Sequence, residues 1–169
     1  MKLSVTGPDA EIKLRQAKPQ DVDAVVALER AMDSAPHWSR AAYVEIVRQD
    51  NLLMRRCLLM AERCEPDPAA AAFSLVGFAV AAMQDGTAEL ESVAVAAAVR
   101  RVGIARMLCH AAIAWSKDHG ASEMTLEVRA ASAGAIALYS GLGFTEVARR
   151  TGYYRQPGDD AVVMRLPLT

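Results

Sequence analysis

The chain has 169 residues, of which 53% are hydrophobic and 23% charged, and its formal net charge is −1. This composition excludes an intrinsically disordered chain, and the near-neutral balance gives no overall field that would attract nucleic acid or an acidic membrane. No apolar run reaches the roughly 20 residues of a membrane span, and the N-terminal residues lack the apolar core of a signal peptide. We therefore expect one cytoplasmic domain over residues 1–169 with a substantial core.

The first half of the chain predicts strands and two amphipathic helices, bounded by turn residues. In chain order these are a strand over Glu11–Ala17, a helix begun by Pro19, a helix over about Ser39–Gln49, and strands over Arg56–Glu62, Phe73–Met83 and Thr87–Val95. The helix begun by Pro19 has one face formed by Val22, Val25, Val26 and Glu29. Ser39 is the expected N-cap of the next helix. Two prolines predict a loop over Glu65–Ala72, and Gln84–Gly86 predicts a turn.

The second half alternates strands and helices. Its elements are a helix over Val102–His119, a strand over Glu123–Arg129, a short helix over Ser132–Ser140, and strands over Phe144–Arg150 and Ala161–Leu168. Gly120 is placed to end the long helix, and the last two strands are expected to pair, with Tyr153–Asp160 as a loop between them. This order predicts a mixed sheet with helices on its faces.

A basic turn joins the strand that ends at Val95 to the long helix. It consists of Arg100, Arg101, Val102, Gly103, Ile104 and Ala105. Unpaired N–H groups and the positive end of the helix dipole would face an anion there. The turn therefore predicts a binding site for the phosphate groups of a cofactor.

Two strands carry carboxylates among apolar residues. In the strand over Glu123–Arg129, the two-residue period puts Glu127 on the face opposite Leu126 and Val128. Such a glutamate either lies on a solvated face or lines a polar cleft. In the strand that ends at Val95, the same period places Glu89, Glu91, Val93 and Val95 on one face. The three cysteines form no CxxC pair, so we expect reduced thiols and no metal.

Two motifs carry a resemblance to a known family. Arg100-x-x-Gly103-x-Ala105 resembles the Q/R-x-x-G-x-G/A acetyl-CoA motif of the GCN5-related N-acetyltransferase (GNAT) superfamily, and it falls before the long helix as in that family. Leu126–Phe144 is similar to the ribosomal-protein-alanine N-acetyltransferases (the RimI group). The resemblance implies an α/β fold with a mixed, mostly antiparallel sheet of about seven strands and about four helices. It also implies acetyl-CoA as co-substrate and no metal.

The same resemblance implies a set of cofactor contacts. Backbone groups of the strand end would pair with the pantetheine arm, and the amides of the basic turn would hold the pyrophosphate. The implied residues are Val93, Ala94, Val95, Arg100, Arg101, Val102, Gly103, Ile104, Ala105, Arg106, Ser132 and Tyr139. Two departures stand out, since Ser132 replaces the usual asparagine and Ala96-Ala97 replaces the usual Asp-Pro.

By the same resemblance, Glu127 is the general base and Tyr139 the acid that supports the departing thiolate. The competing interpretations are a salt-bridged or surface Glu127 and a Tyr139 that only packs against Phe144. Glu91 is the alternative base, with a solvent-exposed side chain as its competing interpretation. No Ser-His or Cys-His pair predicts an acyl-enzyme, so we expect direct transfer of the acetyl group to an amine.

The acceptor stays open at this point. An α-amino group has a pKa of about 7.7–8.0 against about 10.4 for lysine, so its deprotonation is easier by about 3.4 kcal/mol. The resemblance points to the N-terminal alanine of a ribosomal protein. A small amine or amino acid is the alternative acceptor, and a non-catalytic acetyl-CoA sensor is the alternative of another class. We expect neither a membrane nor a nucleic acid as partner, and the oligomeric state is not predicted.

Overall fold

A computed structural model of the chain describes residues 4–7, 10–32, 36–49, 53–64 and 73–168. Within these residues the chain forms eight strands and four α-helices. The strands are β1 (Ser4–Gly7), β2 (Ala10–Gln16), β3 (Arg55–Cys64), β4 (Phe73–Gln84), β5 (Thr87–Val95), β6 (Glu123–Arg129), β7 (Thr145–Arg155) and β8 (Gly158–Pro167). The helices are α1 (Val22–Arg30), α2 (Arg40–Arg48), α3 (Ile104–Asp118) and α4 (Ala133–Ser140).

All eight strands belong to one sheet, in the order β1-β2-β3-β4-β5-β6-β8-β7. Every neighbouring pair is antiparallel except β5 and β6, which are parallel. The predicted mixed sheet with four helices is thus confirmed. The edge strand β1 adds to the seven strands expected, since its four residues are too few to show a period.

Local signals set several boundaries. β5 and β6 have the predicted limits. The Ser39 hydroxyl accepts a hydrogen bond of 3.2 Å from the Ala42 N–H and caps α2 as predicted. Between β4 and β5, Asp85 and Gly86 both have positive φ, 51° and 79°, which is the geometry of a two-residue type I′ hairpin turn. The predicted loop over Glu65–Ala72 lies outside the described residues.

The prediction of the last hairpin is wrong in extent. Tyr153–Asp160 is not a loop, because β7 continues to Arg155 and β8 begins at Gly158, with Tyr154 paired to Asp159. Gly152 has a positive φ of 63° and lies in an irregularity of the ladder between Arg150 and Tyr154. Its N–H donates to Oδ1 of Asp160 at 2.9 Å. The ladder therefore resumes beyond the glycine.

Helices pack on both faces of the sheet. On one face, α3 and α4 contact a core that includes Leu90, Leu108 and Leu126. On the other, α1 and α2 cover a core that includes Leu58 and Phe78. The predicted inner face of α1 is confirmed, as all four of its members are buried, namely Val22, Val25, Val26 and Glu29.

One glycine brings the start of α3 against the sheet. A Cβ on Gly77 of β4 would lie 2.9 Å from the Ala94 carbonyl oxygen and 3.3 Å from Cγ2 of Ile104. The first distance is too short for any side chain, so only glycine permits this approach. Gly77 thereby fixes the first turn of α3 close to the end of β5.

Candidate active site

A cleft opens where β5 and β6 separate. The parallel pairing covers only Thr87–Glu89 and Glu123–Thr125. Beyond it the two strands diverge around a cavity of about 380 Å³. Its lining is residues 90–94 of β5, residues 127–129 of β6, and Met32, Pro36, Ser132, Ala135, Tyr139 and Tyr154. Both predicted catalytic residues, Glu127 and Tyr139, therefore face one cleft, together with Glu91.

A β-bulge changes which face of β5 each residue occupies. Leu90 is opposite Ala81 and Ser92 is opposite Val80, so Glu91 is the extra residue. Val93 and Val95 pack with the α3 core, as Leu90 does. Glu91 instead contacts Arg56 of β3. The next residue, Cys57, belongs to the α3 core, and successive residues of a strand point to opposite faces, so Arg56 lies on the α1–α2 face. The prediction that Glu89 and Glu91 share a face with Val93 and Val95 is wrong, because the bulge shifts the alternation.

Glu127 lies on the α1–α2 face of β6, as the alternation predicts. Its side chain is 24% exposed, and Oε1 lies 3.0 Å from Nη2 of Arg150 on β7. A hydrogen bond to Glu127 raises the pKa of the Tyr153 phenol, and the carboxylate charge adds to that shift. The carboxylate is therefore salt-bridged and cleft-lining at once, so the two interpretations of Glu127 are compatible.

Glu91 is held by a bidentate ion pair. Nε of Arg56 lies 2.9 Å from Oε2 and Nη2 lies 2.7 Å from Oε1. The Glu91 side chain is only 12% exposed, which overturns the solvent-exposed interpretation. Both of its oxygens accept charge-assisted hydrogen bonds, so Glu91 is less available as a base than Glu127.

Glu89 completes a group of three neighbouring carboxylates, the carboxylate cluster of Glu89, Glu91 and Glu127. Burial raises the pKa of Glu89, and the charges of the other two members raise it further. Arg56 and Arg150 act in the opposite direction. Sequence reasoning gave Glu89 no role and missed both arginines, because their partners lie on strands distant in sequence.

Tyr139 reaches the cleft from α4, on the opposite face of the sheet from Glu127. Its ring makes an edge-to-face contact with Phe144, with the centroids 6.0 Å apart. Burial raises the pKa of its phenol strongly, and nearby Cys109 and Tyr154 add to the shift. The residue therefore packs as its competing interpretation requires, and it also keeps its proton at neutral pH.

Ser132 stands at the N-cap position of α4. Its hydroxyl makes no capping hydrogen bond to the helix, and its N–H donates to the Arg129 carbonyl at 2.9 Å. The residue lines the cleft. Its hydroxyl is thus not used by the helix that it begins.

The free edge of β5 is formed by alternate residues. The Ala96 N–H donates to the Val76 carbonyl at 2.8 Å, and antiparallel pairs alternate along a ladder. Ala94 therefore exchanges its backbone hydrogen bonds with β4, while Val93 and Val95 direct theirs toward the cleft. Consistent with this, the Val95 carbonyl accepts a hydrogen bond of 3.3 Å from Nε of Arg100.

The basic turn before α3 has left-handed backbone at two positions. Arg101 has φ 66° and Gly103, the N-cap, has φ 89°. The helix begins at Ile104, two residues later than predicted, and the Met107 N–H makes the bond to the Gly103 carbonyl at 3.0 Å. The N–H groups of Ile104, Ala105 and Arg106 therefore have no hydrogen-bond acceptor within the helix. The first turn of α3 contains no acidic residue, so an anion meets no repulsion there.

Arginine side chains surround this turn. Arg100, Arg101 and Arg106 are exposed, as is Val102. Nη1 of Arg106 donates to the Gly141 carbonyl at 3.2 Å and ties the start of α3 to the end of α4. We call residues 100–106 the phosphate turn.

Cys57, Cys64 and Cys109 are not joined in disulfides. Burial raises the pKa of Cys57 and of Cys109 to about 12, so neither forms a thiolate nucleophile at neutral pH. Among the described residues no group of three or more His, Cys, Asp or Glu side chains could hold a metal ion. Within the same ranges, no helix is long and apolar enough to cross a membrane.

Comparison with known proteins assigns the chain to a family. Residues 26–144 match the family described as Acetyltransferase (GNAT) family. A [Ribosomal protein bS18]-alanine N-acetyltransferase of Salmonella typhimurium is 38% identical over 97 residues, which are 56% of this chain and 66% of that protein. An N-alpha-acetyltransferase of Saccharolobus solfataricus is 28% identical over 99% of this chain and 100% of its own length.

A solved structure extends the likeness over most of the fold. The ribosomal-protein-S18-alanine N-acetyltransferase from Escherichia coli has a TM-score of 0.73 and 27% identity, and the match covers 94% of both chains. The family match spans residues 26–144, which include the phosphate turn, Glu127, Tyr139 and every cleft-lining residue except Tyr154. The chain therefore belongs to the acetyltransferase (GNAT) family and is an acetyl-CoA-dependent N-acetyltransferase.

Proposed function

We propose that this enzyme transfers the acetyl group to the α-amino group of a protein N-terminus, with the N-terminal alanine of a ribosomal protein as the first candidate. The observation that carries the proposal is the position of Glu127 and Tyr139 on opposite faces of the sheet at one cleft. An amine that enters from the α1–α2 face meets Glu127. A thioester that lies along the other face meets Tyr139.

The described residues fit acetyl-CoA, which supplies an activated thioester. The phosphate turn offers unpaired N–H groups, arginine side chains and the positive end of α3 to the pyrophosphate. Backbone groups of Val93 and Val95 would pair with the amides of the pantetheine arm. Ser132, whose hydroxyl does not cap α4, is a further candidate contact. Ala94 contributes less than predicted, because its backbone groups pair with β4.

The chemistry then follows from the two residues. Glu127 accepts a proton from the acceptor ammonium, directly or through a water molecule. The amine nitrogen attacks the thioester carbon, a C–N bond forms, the C–S bond breaks, and the nitrogen loses a second proton to solvent to become the amide. Tyr139 donates its proton to the departing sulfur, and its raised pKa keeps that proton available. Solvent then returns a proton to Tyr139. The buried cysteines have no part in the transfer.

Several observations favour a protein N-terminus over other amines. Two relatives are named as acetyltransferases of a ribosomal-protein alanine or of α-amino groups. An α-amino group also loses its proton more easily than lysine, by about 3.4 kcal/mol. The cleft, lined by Met32 and Pro36 on one side and Tyr154 on another, leaves room for an extended chain end. The cytoplasmic location stays part of this proposal.

The test is release of CoA thiol from acetyl-CoA across a panel of acceptors. Peptides that begin with Ala, Ser, Met or an N-acetylated Ala are compared with lysine, spermidine and free amino acids. We expect turnover of peptides with a small free N-terminal residue and none of the blocked peptide. Turnover of small amines alone would establish the small-amine alternative. Tight CoA binding without any transfer would establish the sensor alternative.

Gly103→Val is expected to weaken CoA binding. A Cβ on Gly103 meets no atom within 4 Å, so the cost is not a clash. It arises from the φ of 89°, which a β-branched residue adopts at a cost of about 1–3 kcal/mol. If the turn relaxes to avoid that strain, its N–H groups lose their alignment. Titration calorimetry with CoA should show about a tenfold increase in Kd or more.

Gly134→Val serves as a comparison, since Gly134 has no positive φ and a Cβ there also meets open space. It is expected to change the Kd for CoA less than Gly103→Val does. An unchanged Kd in a folded Gly103→Val protein would contradict the role of the phosphate turn.

A further inference from the structure

The carboxylate cluster carries more negative charge than its arginines neutralise. Three carboxylates, Glu89, Glu91 and Glu127, meet two guanidinium groups, Arg56 and Arg150. Like charges this close disfavour the ionised form of each carboxylate. Burial raises the pKa of Glu89 most, and the charges of Glu91 and Glu127 raise it further.

The two arginines serve different members of the cluster. Arg56 binds both oxygens of Glu91, at 2.7 and 2.9 Å. Arg150 instead makes one contact, of 3.0 Å, to Oε1 of Glu127. The Tyr153 hydroxyl donates a hydrogen bond to the same carboxylate. Of the two cations, only Arg150 acts on Glu127 by direct contact.

Arg150 is held in place by an aromatic ring. Its guanidinium carbon lies 5.5 Å from the centroid of the Tyr153 ring, within the range of a cation–π contact. Tyr153 also hydrogen-bonds to Glu127. The three side chains thus support one another, and two of them come from the segment of β7 around its irregularity.

We propose that Arg150 is a positioning residue that offsets the negative charges of Glu89 and Glu91 beside Glu127 and orients the Glu127 carboxylate toward the acceptor amine. This inference rests on the proposed role of Glu127 as the base. Arg150 itself exchanges no proton. It supplies a positive charge next to Glu127 in a cluster where the carboxylates outnumber the arginines.

The other charged groups near Glu127 are engaged elsewhere. Arg129, on the same face of β6, donates to the Pro157 carbonyl and stacks on Tyr154. From β8, Arg165 pairs with Glu123 at 3.7 Å. On β7, Arg149 pairs with Glu146. In the described part of the chain, none of these three arginines forms an ion pair with Glu127.

The test is the pH profile of kcat/KM for Arg150→Gln with acetyl-CoA and an Ala-initiated peptide. Loss of the cation makes protonation of the cluster easier, so the acidic limb is expected to move to higher pH. Because the Arg150 side chain is 56% exposed, we expect the low end of the usual range, about one pH unit. Below the limb, kcat/KM then falls about tenfold.

Arg150→Lys keeps the charge and should return the limb toward its native position. Arg149→Gln is the matched control, since Arg149 is the neighbouring arginine and pairs with Glu146 outside the cluster; its limb should coincide with the native one. Arg150→Met retains the aliphatic packing on Tyr153 without the charge. It should shift the limb as Arg150→Gln does, which separates loss of charge from loss of fold.

Glu127→Gln separates the two levels of the inference. If Glu127→Gln removes the acidic limb but Arg150→Gln and Arg150→Met leave it in place, the role of Arg150 is wrong and the proposed function stands. If Glu127→Gln retains the native limb and rate, Glu127 is not the base and both proposals fail. A fall in kcat/KM for Arg150→Gln that is equal at every pH also overturns the role of Arg150.

Discussion

Tyr139→Phe is expected to lower kcat by about 100-fold or more, with little change in the Kd for acetyl-CoA. The size follows from general acid catalysis, which contributes about 10²–10⁴ in rate. The departing thiolate needs a proton or a strong hydrogen bond, and the phenol of Tyr139 is the group that lines the cleft from α4. Its raised pKa means that the proton is present throughout the neutral range. Phenylalanine lacks the hydroxyl and its proton but keeps the aromatic ring.

The substitution is suited to this test because it preserves packing. The edge-to-face contact with Phe144 depends on the ring and not on the hydroxyl. The expected change in melting temperature is therefore small, and calorimetry with CoA should give a Kd close to the native one. Single-turnover kinetics would then assign the loss to the chemical step.

Tyr154→Phe is the comparison variant. Tyr154 lines the same cleft, but the guanidinium of Arg129 stacks on its ring, with the guanidinium carbon 4.0 Å from the ring centroid. Loss of its hydroxyl should affect KM for the acceptor more than kcat. A Tyr139→Phe enzyme with native kcat and a raised KM alone would contradict the acid role.

The sequence was sufficient for the elements that have strong local signals. Strands β5 and β6 were predicted at their observed limits because alternation and turn residues bound them. The inner face of α1 and the N-cap Ser39 followed from helical spacing and capping chemistry. The turn before α3 was predicted from its basic and small residues at a helix N-terminus; the structure has left-handed backbone at Gly103, and the binding of phosphate there stays a prediction. These features depend on residues close in sequence.

The features that the sequence did not predict depend on ladder irregularities. The bulge inserts Glu91 between Leu90 and Ser92, which are opposite the adjacent residues Ala81 and Val80 of β4, and no residue type marks it. It moves Glu91 to the same face as Arg56. On β7, the irregularity between Glu146 and Ala148 likewise shifts the register in which Arg150 pairs with Ala161. The contact of Arg150 with Glu127 is thus a product of register, which periodicity alone does not determine.

Glu127→Gln should lower kcat/KM by about 100-fold or more, the range of a lost general base. Glutamine keeps the size and one hydrogen-bond acceptor for Arg150, so the wall of the cleft is retained. It cannot accept the proton of the acceptor ammonium. The native enzyme needs the ionised carboxylate, so its kcat/KM falls as the pH is lowered. Glu127→Gln should lose that dependence.

Glu91→Gln decides between the two candidate bases. Glu91 is bound at both oxygens by Arg56, so its substitution breaks a charge-assisted pair and should lower the melting temperature more than Glu127→Gln does. Glu146→Gln, on the exposed part of β7, is the control for loss of a carboxylate that pairs with an arginine outside the cleft.

The pH profile of kcat/KM distinguishes the two candidate bases. If the acidic limb is lost in Glu127→Gln and kept in Glu91→Gln, Glu127 is the base. The opposite result would make Glu91 on β5 the base. Arg56 would then have to release the Glu91 carboxylate before the proton is transferred. Arg56 makes two contacts with Glu91 and Arg150 only one with Glu127, so Glu127 has fewer arginine contacts to release before it accepts a proton. That difference is the physical reason to expect the base on β6.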